Sequence, residues 1–318
     1  MTKAPPARGS RIDWSQLPAD FRDQIAEVCG DPVVYAATQT GGFSPGVASR
    51  IECRNGKRYF VKAVSADTNL ESVKLHRREA EIMASLDQSI DSGLRVPRIL
   101  GIVEHARWFA LVIEDLPGNQ PVVPWIDREL QLVVSALDQL SSQLTPAPDV
   151  TVDAISTRLG AEFSGWRTLA HGGSFLQLDP WSLRHLEEMA ALESNWVDAA
   201  EGVTLLHADL RADNLLIVNE EVFVVDWPHA CIGAAFVDMV FFAPSVAMQG
   251  GPDPMALLSM SRWAKSIHTS QLIPVVCAFA GYLTEHSLRS APPGLPTLRP
   301  FQAAQAEIAR RWLADLVA

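Results

Sequence analysis

The chain has 318 residues, 48% of them apolar and 20% charged, long enough for more than one lobe and too apolar for a disordered protein. Its net charge of -11 comes from one half: residues 1–120 hold 15 basic and 15 acidic side chains, residues 121–318 hold 11 and 22. That balance argues against a nucleic-acid partner, which needs basic patches, and suits either a cationic substrate or simple solubility.

The opening MTKAPPARGSRIDW has no apolar stretch of the signal-peptide kind. The longest apolar run, LIPVVCAFAGYL, is 12 residues with a proline inside, too short to span a bilayer. Four cysteines, at 29, 53, 231 and 277, show no CxxC spacing. Cys53, Cys231 and Cys277 lie in apolar contexts and are expected as reduced core residues of a cytoplasmic protein that has no membrane segment.

The first 120 residues alternate like an antiparallel sheet with one helix inserted. VVYAATQT and VASRIEC are predicted strands on either side of GGFSPG, residues 41–46, and the second meets RYFVKAV across an Asn55-Gly56 turn. GGFSPG is either an ordinary hairpin loop or a cradle in which the amides around Gly42, Phe43 and Ser44 approach phosphate groups. A helix over Leu70 to Leu86 follows, then the strands ILGIVE and WFALVIED. The sheet ends at residues 117–121, ProGlyAsnGlnPro, which divides the chain into an N-lobe over 1–116 and a C-lobe over 117–318. In the C-lobe the pattern predicts helices over 128–144, 181–199, 254–269, 272–288 and 300–317.

Lys62 shares a strand face with Phe60 and Val64, so it either snorkels at an edge or meets a buried carboxylate. On the next helix Leu75, Ile82, Met83 and Leu86 form the apolar face; Glu79 falls at its middle and Glu81 points away. Glu79 is therefore the expected partner of Lys62.

LLHADLRADNLLIVNEEVFVVDW, residues 205–227, interrupts the helical half. LLIV and VFVV flank NEE, a turn of about three residues, and pairing outward sets Val218 against Val222, Leu215 against Val225 and Asn214 against Asp226. Opposed residues lie roughly 4.5 to 5.5 Å apart. A carboxylate and an amide oxygen delivered together are donors for a hard cation such as Mg²⁺, with phosphates and water completing the shell. Asp209, five residues before Asn214, can sit beside that pair. His207 is expected as a buried strut, Asp213 as a solvated or capping residue, and Arg211 has the donor fork that suits a phosphate.

Taken together, a Gly-rich loop, a strand lysine, a helix glutamate, HADLRADN and VVDW resemble the aminoglycoside phosphotransferase family, small-molecule kinases with the protein-kinase-like fold. HADLRADN is similar to that family's His-Gly-Asp-x-x-x-x-Asn loop. The protein-kinase set shares the Asp-to-Asn spacing but has DFG and APE triplets; here Trp227 follows Asp226 and APE is absent.

The resemblance implies an α+β, two-lobe fold with a small antiparallel-sheet N-lobe carrying one helix and a larger, mainly helical C-lobe. It implies transfer of the γ-phosphate of ATP or GTP to a hydroxyl of a small molecule, with an aminoglycoside or amino sugar among the acceptors. Asp209 would orient the acceptor hydroxyl, Asn214 and Asp226 would hold Mg²⁺, and Lys62, fixed by Glu79, would contact the α/β-phosphates. Glu114 to Leu116 resembles the hinge whose backbone holds the nucleobase. The alternative, a catalytically idle nucleotide-binding or regulatory module, is disfavoured because all five charged and amide positions are kept. Ala208 replaces the family's usual Gly, GAAFVDM keeps only Gly233 and Asp238 of a Gly-Asp-Pro-x-x-Asp-Leu run, and ProHisAlaCys after Trp227 has no counterpart in the pattern.

Overall fold

The computed structural model describes residues 4–87, 93–149, 151–172, 178–265 and 267–318. Strands β1 (Val33–Thr38), β2 (Val47–Cys53), β3 (Arg58–Ser65), β4 (Ile99–His105) and β5 (Trp108–Glu114) form an antiparallel sheet in the order β1-β2-β3-β5-β4. β3 is therefore central, and Lys62 stands between Ala48 of β2 and Leu111 of β5.

Side chains of a strand alternate between faces, and both faces of this sheet are covered. Val61 and Ala63 of β3, with Ala110 and Val112 of β5, point to one apolar cluster. Val64, Phe109, Leu111 and Ile113 point to the other. The first face is closed by α1 (Ala19–Cys29), which buries Phe21, Ile25 and Cys29. This helix makes two in the sheet lobe where the sequence suggested one; its apolar stripe is only three residues long, too short to register as a period.

The second face is closed by α2 (Ala66–Ser85) through Val73, Ala80, Ile82 and Met83. Burial of Val73, Ile82 and Met83 contributes roughly 1.5–3 kcal/mol each. Asn69 leaves helical geometry, and its side chain caps the Ser72 N–H at 2.9 Å, so the regular helix starts close to the expected Leu70.

The rest is mainly helical: α3 (Asp127–Gln143), α4 (Ile155–Leu159), α5 (Gly165–Gly172), α6 (Pro180–Arg184), α7 (Leu186–Glu193), α8 (Trp196–Ala200), α9 (Val237–Met248), α10 (Pro254–Met260), α11 (Thr269–Ser287) and α12 (Leu298–Val317). The helix expected over 181–199 is thus three short ones, and the one expected over 254–269 ends at Met260. α9, which the pattern did not suggest, is buried over most of its length. A helix apolar all round has no 3.6-residue stripe to detect. No helix among the described residues is long and apolar enough to cross a membrane.

Four short strands frame the charged loop. β6 (Thr204–Leu206), β7 (Leu215–Val218), β8 (Glu221–Val224) and β9 (Cys231–Gly233) form two antiparallel pairs, β6 with β9 and β7 with β8. The β7–β8 register differs by one from the sequence expectation: Leu215 faces Val224 and Val218 faces Glu221. Asn219 and Glu220 form a two-residue turn with φ of 50° and 68°, the primed type whose twist matches that of the strands. Asn214 therefore bonds to Val225, not Asp226, through the Val225 N–H at 3.0 Å.

Glutamate is a poor occupant of a left-handed turn position, and its exposed ion pair with Arg128 adds little. Glu220→Gly is expected to raise stability by up to about 1 kcal/mol. A urea midpoint that stays the same or falls would contradict this turn.

Candidate functional site

Lys62 ties three elements together. Its Nζ lies 2.7 and 2.9 Å from the two Glu79 carboxylate oxygens on α2, and 2.7 Å from Asp226 Oδ1 just past β8. Glu79 is 1% exposed, as its place in the middle of the apolar face predicts. Burial alone would strip the Lys62 proton, but Asp226 and Glu79 outweigh it and hold the ammonium above its ordinary pKa. Burial also pushes Glu79 up to about 7 against the pull of Lys62. At Asp226 burial pushes the other way from Lys62 and loses, so that carboxylate stays ionised well below its usual range.

The loop from His207 to Asn214 is held from behind. Ala208 adopts φ 61°, a conformation that costs an alanine about 1–3 kcal/mol. The Asp238 carboxylate, from the first turn of α9, accepts the N–H groups of His207 at 2.9 Å and Ala208 at 2.8 Å and so fixes the strained turn. His207 is fully buried; its Nδ1 accepts the Asp209 N–H at 3.2 Å, its Nε2 lies 3.0 Å from the Val225 carbonyl, and its ring packs edge-on against Trp227. It is the strut that the sequence suggested. Gly233 and Asp238 were the surviving members of the GAAFVDM run, so the signal for this clamp was present.

Asp209 is gripped on both oxygens. Arg211 Nη1 donates to Oδ1, and the Asn214 amide donates to the Asp209 carbonyl at 2.8 Å and to Oδ2 at 3.3 Å. The fork of Arg211 also takes Asp213 in two bonds of 3.0 Å. Arg211 is therefore spent on carboxylates rather than aimed at a phosphate, and Asp213 is a half-buried ion-pair partner, not a solvated cap. Its guanidinium also sits 5.3 Å from the centre of the Phe43 ring, linking this loop to the Gly-rich one.

Two cavities flank this machinery. One, of 390 Å³, is lined by Gly42, Phe43, Ser44, Lys62, Glu79, Glu114, Leu116, Asn214 and Asp226. All the residues expected to bind donor and metal are thus brought into one space. The Leu116 carbonyl there accepts from Arg50 Nη2 at 3.0 Å and from the Gly118 N–H at 2.8 Å. The second cavity, of 360 Å³, holds Asp209 and is floored by rings. Phe163 and Tyr282 stack at 5.2 Å, Phe241 and Phe279 at 4.6 Å. His229, from the unexplained ProHisAlaCys, lines it too, its Nδ1 3.0 Å from Arg158 Nη2; burial lowers its pKa. Phe43, Ser44 and Asp226 border both spaces.

Asn214 spends its amide nitrogen on Asp209 and Asp226 spends one oxygen on Lys62. The amide oxygen of one and the second carboxylate oxygen of the other are hard donors of the kind Mg²⁺ takes when phosphates and water complete its shell. Among the described residues no cluster of three His, Cys, Asp or Glu side chains could form a full protein cage. Sequence reasoning missed Arg11 and Arg50 in the first cavity and Glu162, Tyr282 and Arg299 in the second. None carries a local motif.

The model of the phosphotransferase enzyme family matches residues 40–263. No curated protein matches the chain. Solved structures of similar fold include an aminoglycoside phosphotransferase in ternary complex with ADP and hygromycin B, at 14% identity, covering 92% of this chain and 98% of that one, TM-score 0.57. A putative fructosamine-3-kinase from Haemophilus somnus is 14% identical, with 93% and 96% covered and a TM-score of 0.58. A choline kinase from Streptococcus pneumoniae is 15% identical, with 92% and 97% covered and a TM-score of 0.58.

Lys62→Met leaves two carboxylates without their cation and should cost about 3–5 kcal/mol at pH 8. Burial raises Glu79, and losing the pull of Lys62 raises it further, so at pH 5 the protonated carboxyl spares the variant one uncompensated charge and the deficit should narrow; urea unfolding at both pH values measures it, and a pH-independent deficit would contradict the pairing. Ala208→Gly relaxes the left-handed turn and should stabilise the protein by up to about 1 kcal/mol, read as a higher melting temperature.

Proposed function

Since the chain belongs to the phosphotransferase enzyme family, we propose that it moves the γ-phosphate of ATP, with GTP as the alternative donor, to a hydroxyl of a small molecule. One observation carries this reading: a cavity with Lys62, Asn214 and Asp226 meets a second cavity with Asp209 at a wall both share. Phosphoryl transfer needs donor and acceptor held in line across such a boundary, and it needs charge neutralised rather than covalent chemistry. The ADP complex of a protein of the same fold supports a nucleotide in the first space.

Lys62, held by Glu79, contacts the α/β-phosphates. Asn214 and Asp226 hold Mg²⁺, which when bound neutralises phosphate charge. Asp209 faces the second cavity, aligns the acceptor hydroxyl and takes its proton as the new bond forms. Arg211 and Asn214 keep the Asp209 carboxylate in one orientation, so its geometry is set before the acceptor arrives.

The second cavity bears on the acceptor. Its carboxylate outside any ion pair among the described residues is Glu162, its rings supply broad apolar contact, and Arg299 adds a cation. That set favours an alcohol with a flat or apolar body and at most one ammonium group, such as an amino sugar or a small amino alcohol. A polycationic aminoglycoside would meet too few carboxylates.

ADP release measured with Mg·ATP across a panel of sugars, amino sugars, amino alcohols and aminoglycosides tests the assignment. Asp209→Asn should lower turnover of the responding acceptor by about 10²–10⁴-fold while Mg·ATP still binds. Equal turnover by parent and variant would sink the mechanism.

A further inference from the structure

Before β1 the chain lays an extended strap along the Gly-rich loop. Residues 7–12 pair with residues 42–46 in parallel: the Gly9 N–H donates to the Gly42 carbonyl at 2.8 Å, Gly42 N–H to Ala7 at 3.1 Å, Ile12 N–H to Gly46 at 3.1 Å and Gly46 N–H to Ser10 at 3.1 Å. The approach is close enough that a Cβ on Gly9 would stand 2.8 Å from the Ser44 carbonyl oxygen. The far side of the strap is anchored to the segment before α12, through the Ser10 N–H to Gly294 at 2.6 Å and two bonds between Arg8 backbone and Thr297 Oγ1. The loop that borders both cavities is thus tied to the helical lobe.

The strap delivers Arg11 to the donor cavity. Its Nη2 donates to the Gly41 carbonyl at 2.6 Å and its Nη1 to the Ser44 carbonyl, while its buried Nε has no partner. The other cations of this cavity are already matched, Lys62 with Glu79 and Asp226, and Arg50 with Asp115. Among the described residues no carboxylate comes within ion-pairing distance of Arg11, although the field of Asp226 reaches it. A cation drawn partly out of water without a counter-ion is costly, and a guanidinium lining a cavity, with a second N–H on each Nη beyond the one given to a loop carbonyl, is matched by phosphate oxygens.

We propose that Arg11 is a phosphate ligand of the donor site, carried there by the N-terminal strap. Its partners Gly41 and Ser44 belong to the Gly-rich loop expected to cradle the phosphates, and the field of Asp226, of the proposed metal pair, reaches it. The inference rests on this cavity taking a nucleoside triphosphate. It adds a charge that the Gly-rich loop's own residues do not supply.

Calorimetric titration of the full chain with Mg·ATP and, separately, with adenosine tests it. Arg11→Gln should bind Mg·ATP about tenfold more weakly, equivalent to about 1.4 kcal/mol, and adenosine as the parent does. Arg8→Gln, on the same strap but outside the cavity, should match the parent for both. Arg11→Lys keeps the charge without the fork and should fall between; if Arg11→Gln does not fold, this variant carries the test, and parent-like binding by it would overturn the proposal. Equal Mg·ATP affinity in Arg11→Gln and parent would overturn the proposal and leave the kinase assignment standing. An equal loss for adenosine would reduce Arg11 to a structural tie and also overturn it. A parent that binds neither ligand would overturn both.

Discussion

A lysine placed on the central strand of a sheet has to find anionic partners or lose its charge, and the rest of this structure depends on how Lys62 resolves that constraint. Glu79 comes from a helix packed on the sheet, Asp226 from a hairpin 164 residues further along the chain. Both must arrive together, because one carboxylate left alone in that space would be uncompensated charge. The ion-pair cluster therefore sets the position of α2 on the sheet and of the β7–β8 hairpin beneath it. Asp226, held by Lys62, is one of the three residues that border both cavities, with Phe43 and Ser44.

The charged loop is organised by a second constraint, local strain held in place by distant groups. Ala208 and Asp226 both sit at positive φ, and neither conformation would persist in an isolated turn. Asp238 takes two amides of the first turn, and His207 links that turn to Val225, next to Asp226. Buried groups that over-determine a backbone in this way leave Asp209 and Asp226 little freedom. That suits a reaction that depends on prior alignment more than on flexible chemistry.

Much of this was legible residue by residue. Alternation put Lys62 on the Phe60–Val64 face, helical spacing put Glu79 at the middle of the α2 face, and the five-residue step from Asp209 to Asn214 marked the loop. The misses share a cause. α9 was invisible because burial on all sides erases a helical period, and the hairpin register slipped by one because the sequence offered Asn219, Glu220 and Glu221 as a three-residue turn, whereas the twist of the strands favours two. Arg211 showed a phosphate-binding fork, yet two carboxylates closer in sequence claimed it.

By itself the sequence determined which charges and apolar faces exist and their order, since strand and helix periods act over a few residues and need no tertiary information. The pairing of Lys62 with Glu79 belongs in part to that level. Only the tertiary structure decided what each charge would meet: Asp226 at Lys62, Asp238 beneath Ala208, the strap from Ala7 to Ile12 on the Gly-rich loop, and a ring-floored cavity beside Asp209. These contacts join segments as much as 289 residues apart, as at Arg8 and Thr297. Such contacts are set by how packed elements meet and by which buried charge has no other partner, and neither is encoded in any short stretch of chain.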